Sequence, residues 1–167
     1  MKNFLPLFLL FNFIVGSLGA QKYGHVNYRA LIDSLDGAKV INDQLNKYEK
    51  SLSDVGESMI QKFQTNYSNY QESVKKGNLT GIQQKEIQSD LETEQNAIGK
   101  YQQSARESLD KRNAELLRPF LSKMDTILKD FAKREGYLMI FDSSMGVLLG
   151  PESENLFTKL VAILNKK

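Results

Sequence analysis

The 167-residue chain has no cysteine, no tryptophan, a single histidine and only three prolines. Without cysteine there can be no disulfide, thiolate metal site or thiol nucleophile, so stability has to come from packing or assembly. The lone histidine, His25, has no second imidazole to work with, and an imidazole without convergent partners is a structural residue. Glycine-rich phosphate loops, dinucleotide fingerprints and metal-spaced clusters are missing as well. Asp142-Ser143-Ser144 sets a hydroxyl beside a carboxylate, but this is turn chemistry. The chain is therefore not read as an enzyme, and no metal or cofactor is expected. Nor does one sign of charge prevail, with 22 Lys and Arg against 20 Asp and Glu. That balance supplies no basic face for nucleic acid, which is not expected as a partner.

Long apolar runs are confined to the start. Lys2 is followed by a nearly unbroken apolar stretch from Phe4 to Val15, then by Gly16-Ser17-Leu18-Gly19-Ala20. A basic residue, a short apolar core and a small-residue exit form a secretory signal peptide. The core is too short for an ordinary membrane-spanning helix. Cleavage after Ala20 or Gly19 leaves a nearly neutral exported chain, large enough for one domain.

The rest is ordered by its periodicities. Tyr23-Gly24-His25-Val26-Asn27 reads as a short strand, with Tyr23 and His25 on one side and Gly24 and Val26 on the other. Ala30, Leu31 and Leu35 follow as a connecting turn of helix. From about Asp36, apolar residues recur at Ile41, Leu45, Tyr48, Leu52, Val55, Met59, Phe63, Tyr67, Tyr70 and Val74. The steps of three and four describe a heptad seam with one four-residue stutter between Val55 and Tyr67. Lys75-Lys76-Gly77-Asn78 ends the helix, with Gly77 as its C-terminal cap. Thr80-Gly81-Ile82-Gln83 is a capping box that opens a second helix. So short a connection makes the two helices antiparallel.

The second helix carries Ile87, Leu91, Ile98, Ala105, Leu109, Leu116, Phe120, Met124, Ile127 and Phe131, with Glu94 and Arg112 as polar interruptions. Pro119 should bend or restart it, and Lys133-Arg134-Glu135-Gly136 ends it. Tyr137–Phe141 is a continuous apolar run, as in a strand buried on both faces. Ser143–Gly146 fits a hairpin loop, with Val147–Leu149 as the returning strand. Ser153 or Asn155 caps a last helix bearing Leu156, Phe157, Leu160, Val161 and Leu164.

The expected class is α+β and predominantly helical. Residues 1–20 form the signal peptide, 21–35 with 136–167 a small α+β oligomerisation body, and 36–135 a long antiparallel coiled-coil hairpin arm with its tip near 75–82. A helix of 40 residues is about 60 Å long, so the arm should project beyond so small a body. That body has exposed sheet edges and too few residues for a secure core, which favours a homo-oligomer. Its expected interface residues are Tyr23, Val26, Met139, Phe141, Val147 and Leu149, and Pro119 is the expected joint between arm and body.

Three stretches resemble the Skp/OmpH family of periplasmic chaperones. The first is Lys22-Tyr23-Gly24-His25-Val26-Asn27 with Leu35-Asp36-Gly37-Ala38-Lys39. The second is Leu116-Leu117-Arg118-Pro119-Phe120 with Ala132-Lys133-Arg134-Glu135-Gly136-Tyr137. The third is Ile140-Phe141-Asp142, Gly146-Val147-Leu148-Leu149, Asn155-Leu156 and Leu164-Asn165. The resemblance spans the whole exported chain and implies a trimer whose arms enclose unfolded outer-membrane proteins without using ATP. The near-neutral charge departs from the strongly basic character common in that family. Asn155-Leu156-Phe157 replaces the family's frequent Asp-Ile-Thr or Asp-Leu-Thr.

Holding such clients calls for adaptable apolar contacts. Met59, Ile60, Phe63, Tyr67, Tyr70 and Tyr101 are the candidate contacts, because Tyr offers amphipathic area and Met repacks readily. Their competing role is packing between the two helices. Lys75, Lys76 and Lys85 make the tip basic and suited to weak contact with acidic clients or an anionic membrane surface. The competing role there is a solvated helix end. An envelope scaffold that docks one folded partner through the same arm is the alternative function.

Overall fold

The computed structural model describes residues 22–146, 150 and 153–166. The expected signal peptide and the expected strand Val147–Leu149 lie outside these residues. In chain order the elements are β1 (Lys22–Val26), α1 (Tyr28–Ser34), α2 (Asp36–Lys75), α3 (Gly81–Glu135), β2 (Tyr137–Asp142), a 3-10 turn (Ser143–Met145), β3 (Glu154–Asn155) and α4 (Phe157–Leu164). Two compact units result. One joins Met1–Ile32 to Thr126–Lys167, and the other is Asp33–Asp125.

The first unit is built on a three-stranded sheet in the order β2-β1-β3. Both outer strands run parallel to β1, with Gly24 opposite Ile140 and Glu154, and His25 opposite Phe141 and Asn155. Alternation along β1 buries Gly24 and Val26 on one side. Leu31, Phe131, Tyr137, Leu156 and Leu160 are buried in the same unit. Gly24 has no room for a side chain, since a Cβ there would lie 2.3 Å from Leu156 Cδ1. Fully burying each such leucine contributes about 1.5–3 kcal/mol. The N-cap of α4 is Leu156, without a side-chain cap bond, rather than Ser153 or Asn155; Asn155 Oδ1, one residue earlier, accepts the Phe157 N–H at 3.0 Å.

One expectation is corrected here. The expected hairpin of Tyr137–Phe141 with Val147–Leu149 rests on residues outside the described ones; among the described residues β1 lies between β2 and β3 and pairs with each. Ser143–Met145 forms a 3-10 turn closed by Gly146 at φ 75°. Strand β2 is not buried on both faces. Leu138 and Met139 are 61% and 56% exposed, as befits an edge strand.

The second unit is a helical hairpin. Its turn satisfies the backbone from both sides. Gly77, at φ 67°, donates to the Val74 carbonyl and Asn78 donates to that of Ser73, which is a Schellman ending. Thr80 and Gln83 then exchange reciprocal bonds, Thr80 N–H to Gln83 Oε1 at 2.9 Å and Gln83 N–H to Thr80 Oγ1 at 3.3 Å. At the other end of this unit Leu35, Ala38, Ile41 and Met124 are buried. The Phe120 ring leaves no room beyond Gly37, where a Cβ would come within 2.7 Å of it. Pro119 does not restart the helix, since α3 runs unbroken for 55 residues. The proline is exposed, and half-buried Leu116, Leu117, Phe120 and Leu121 hold the helix on either side of it.

Candidate functional site

Burial along α2 marks the seam directly. The covered positions are Ala38, Ile41, Leu45, Tyr48, Leu52, Gly56, Met59, Phe63, Asn66, Tyr70 and Ser73, with Ile60 half-buried beside them. Three apolar residues expected in the seam are therefore outside it, with Val55 49%, Tyr67 45% and Val74 41% exposed. Gly56, Asn66 and Ser73 take their places. The four-residue stutter falls at Leu52–Gly56, nearer the base of the hairpin than expected.

The partner helix explains the shift. Covered residues on α3 recur at Gln84, Ile87, Leu91, Glu94, Ile98, Tyr101 and Ala105, in unbroken steps of three and four. Tyr101 fills the space above Gly56, where a Cβ would meet its ring at 3.4 Å, and its hydroxyl donates to the Leu52 carbonyl at 2.8 Å. Glu94 accepts the Asn66 side-chain amide at 2.8 and 3.0 Å, and Lys62 stands 3.4 Å away. These are specific polar contacts, of the kind that fix register in a paired helix at some cost in stability. Apolar counting along α2 alone missed Gly56 and Asn66. The regular steps of α3 through Glu94 and Tyr101 were the signal that could have found them.

The candidate contact residues consequently divide. Tyr101 belongs to the seam. Met59, Ile60, Phe63 and Tyr70 are half-buried, and the Tyr70 hydroxyl accepts from Gln88 Nε2 at 2.7 Å. Tyr67 lies outward and stacks on Phe63, with ring centroids 6.1 Å apart. Two grooves run beside the seam. One, of about 460 Å³, is lined by Asn66, Asn69, Ser73, Asp90, Thr93 and Glu94 among others. The second, of about 390 Å³, includes Leu52, Gly56, Ile60, Tyr101, Ala105 and Leu109. At the tip Lys75, Lys76 and Lys85 are exposed, and Lys76 pairs with Glu72 one turn back.

In the sheet unit, Tyr23, His25, Met139 and Phe141 share the side opposite Gly24 and Val26. The Tyr23 and Phe141 rings lie 6.2 Å apart, and His25 Nδ1 is 2.9 Å from Ser153 Oγ. Val26 is only 3% exposed and serves the core of its own protomer, so it offers no surface to a second copy. Val147 and Leu149 lie outside the described residues. Asp142 Oδ1 accepts the Ser144 hydroxyl and N–H and the Tyr28 N–H, which holds its carboxyl below the usual range and ties the end of β2 to the start of α1. The Asp142-Ser143-Ser144 sequence is thus a turn lock. Glu154 is drawn down to about 2, first by Lys159 and then by the Tyr137 hydroxyl, with Lys22 3.7 Å away. One residue from each of β1, β2, β3 and α4 meets in that cluster.

No protein of curated function matches this sequence. The family described as outer membrane protein (OmpH-like) matches residues 22–164, which covers both the sheet unit and the hairpin, and the chain belongs to that family.

Proposed function

We propose that this protein is an ATP-independent periplasmic holdase that binds unfolded outer-membrane proteins between helical hairpins and keeps them from aggregating. Membership of the OmpH-like family supports the outer-membrane connection. The observation that carries the reading is the outer hairpin, where Ile60, Phe63, Tyr67 and Val74 remain partly or largely uncovered while Asn66, Ser73 and Glu94 take some of the seam positions. Apolar groups released from packing can meet a client without unfolding the hairpin. The first twenty residues direct export, and the tip lysines add weak attraction to acidic clients or anionic membrane, felt over about 8–10 Å at ordinary salt.

Several copies are needed to surround a client. Tyr23, Met139 and Phe141, with the neighbouring Leu138, form the apolar sheet surface through which copies assemble, as a trimer. Equilibrium sedimentation at micromolar concentration should return three times the protomer mass; a stable monomer would remove the enclosure. The function itself is tested by diluting a membrane β-barrel from urea. Near-stoichiometric protein should suppress its aggregation without nucleotide. No suppression, together with tight binding to one folded envelope protein, would replace the holdase with a docking scaffold.

A further inference from the structure

The two flanks of the hairpin differ in chemistry. Successive α-helical residues are turned by about 100°, which places Ile60, Tyr67 and Val74 to one side of the seam, next to its members Gly56 and Phe63. Asn66, Asn69 and Ser73 fall to the other, over the groove that also holds Tyr70, Ile87, Leu91, Asp90 and Glu94. The apolar side adjoins the groove of Leu52, Ile60, Tyr101 and Leu109. Its outer part, from Ile60 to Val74, carries no free charge of α2, because Lys62 is engaged with Glu94 and Glu72 with Lys76, whereas Glu49, Glu57 and Arg106 border the lower groove.

Glutamines border this strip on both sides. Gln64 and Gln71 lie along α2, and Gln88, Gln95 and Gln102 lie along α3 at seven-residue spacing, all of them exposed. Each primary amide both donates and accepts. An apolar strip between two rows of amides suits an extended chain, which presents side chains to the strip and bare N–H and C=O groups along its edges. Length is of the same order. From Gly56 to Val74 the strip measures about 27 Å at 1.5 Å per residue, enough for about eight residues of extended chain at about 3.3 Å each, most of a membrane-barrel strand of about 9–11 residues.

We propose that an unfolded β-barrel client is gripped in extended form on this flank alone, with uncharged apolar side chains on Ile60, Phe63, Tyr67 and Val74 and its backbone bonded by the bordering glutamines. The inference rests on the holdase reading and specifies its contact surface. The opposite flank, whose groove carries the Asp90 and Glu94 carboxylates, takes no part.

The test measures affinity for a fluorescently labelled eight-stranded outer-membrane barrel diluted from urea, using the full-length exported protein, with helicity checked by circular dichroism. Ile60→Ser with Tyr67→Ser should weaken binding roughly tenfold, a loss the burial of two such side chains readily spans. Asn69→Ala with Thr93→Ala, on the other flank, should stay within about twofold of the wild type. The decisive variant is Gln64→Met, Gln95→Met, Gln102→Met, which enlarges the apolar surface on exposed positions while removing the amides. Bonding to an extended backbone requires it to bind several-fold more weakly; a generic greasy surface requires it to bind more tightly, and that result would overturn the proposal. Unchanged affinity in the Ile60 and Tyr67 variant would overturn it too, while leaving the holdase reading intact. A wild-type protein that does not bind the unfolded barrel removes both.

Discussion

The sheet unit and the outer hairpin solve opposite problems with the same residue types. Around the sheet, Leu31, Leu156 and Leu160 are wholly excluded from solvent, and Gly24 is kept side-chain-free so that Leu156 can reach the strand. In the outer hairpin Leu91 alone among the large apolar residues is fully buried, while Tyr67 and Val74 stand nearly half exposed. Covered apolar area stabilises the first region, whereas specific polar contacts at Tyr101–Leu52 and Asn66–Glu94 align the second. Closely covered and partly uncovered apolar area are thus separated along one chain.

The strongest challenge to that contrast is a matched pair of truncations. Leu160→Ala should cost about 2–5 kcal/mol through its lost burial and cavity, whereas Val74→Ala should change stability by no more than about 0.5 kcal/mol; urea unfolding of both variants measures the difference. Next comes Gly24→Ala. Its methyl would intrude on Leu156, and overpacking of that kind costs about 1–3 kcal/mol, again read from the urea midpoint. A smaller effect of opposite sign is expected in the hairpin. Asn66→Leu with Glu94→Leu should raise its thermal stability by the equivalent of about 1 kcal/mol, because an apolar layer replaces a polar one of low net value. Register should loosen at the same time, as seen in faster cross-linking between cysteines placed one turn out of step. No gain in melting temperature would show that the polar layer stabilises as well as aligns.

The smallest effect concerns acid. The folded pKa of Glu154, about 2, lies below its ordinary value of 4.5. Its contribution is therefore complete above 4.5 and is lost as pH falls toward 2. Glu154→Gln should flatten the decline of melting temperature in that window and leave the outer hairpin unaffected. An unchanged slope would mean that the Lys159 and Tyr137 contacts do not persist in solution.

Much of this arrangement was legible in the sequence where a local rule acts alone. Gly77 and Thr80-Gly81-Ile82-Gln83 specify their turn through caps that depend on few neighbours, and the alternation from Tyr23 to Val26 gives the buried side of β1. Long-range pairing was not legible in the same way. Nothing local in Tyr137–Phe141 distinguishes a parallel edge strand from a central one, and Glu154–Asn155 is too short and polar to announce a strand. The hairpin seam was misplaced at Val55, Tyr67 and Val74 because apolarity was taken as the mark of burial. The structure covers Gly56, Asn66 and Ser73 instead; for the first two, α3 supplies the Tyr101 ring and the Glu94 carboxylate. That same error draws attention to the proposed surface: Tyr67 and Val74 are apolar, fall at the wrong phase for the seam and stay uncovered.

The sheet has a kinetic consequence. Its central strand comes from the beginning of the described chain, while Tyr137–Asp142 and Glu154–Asn155, which flank it, come more than a hundred residues later. A nascent chain emerging N-terminus first must carry β1 without a neighbour until nearly everything else has appeared. The hairpin, whose contacts radiate from one tight turn, can zip meanwhile and draws the two distant ends together, which removes most of the closure entropy that such a pairing would otherwise face. The long helices therefore act as a folding template before they act on anything else, and defects at the Gly77 turn should surface as delayed completion of a sheet they never touch.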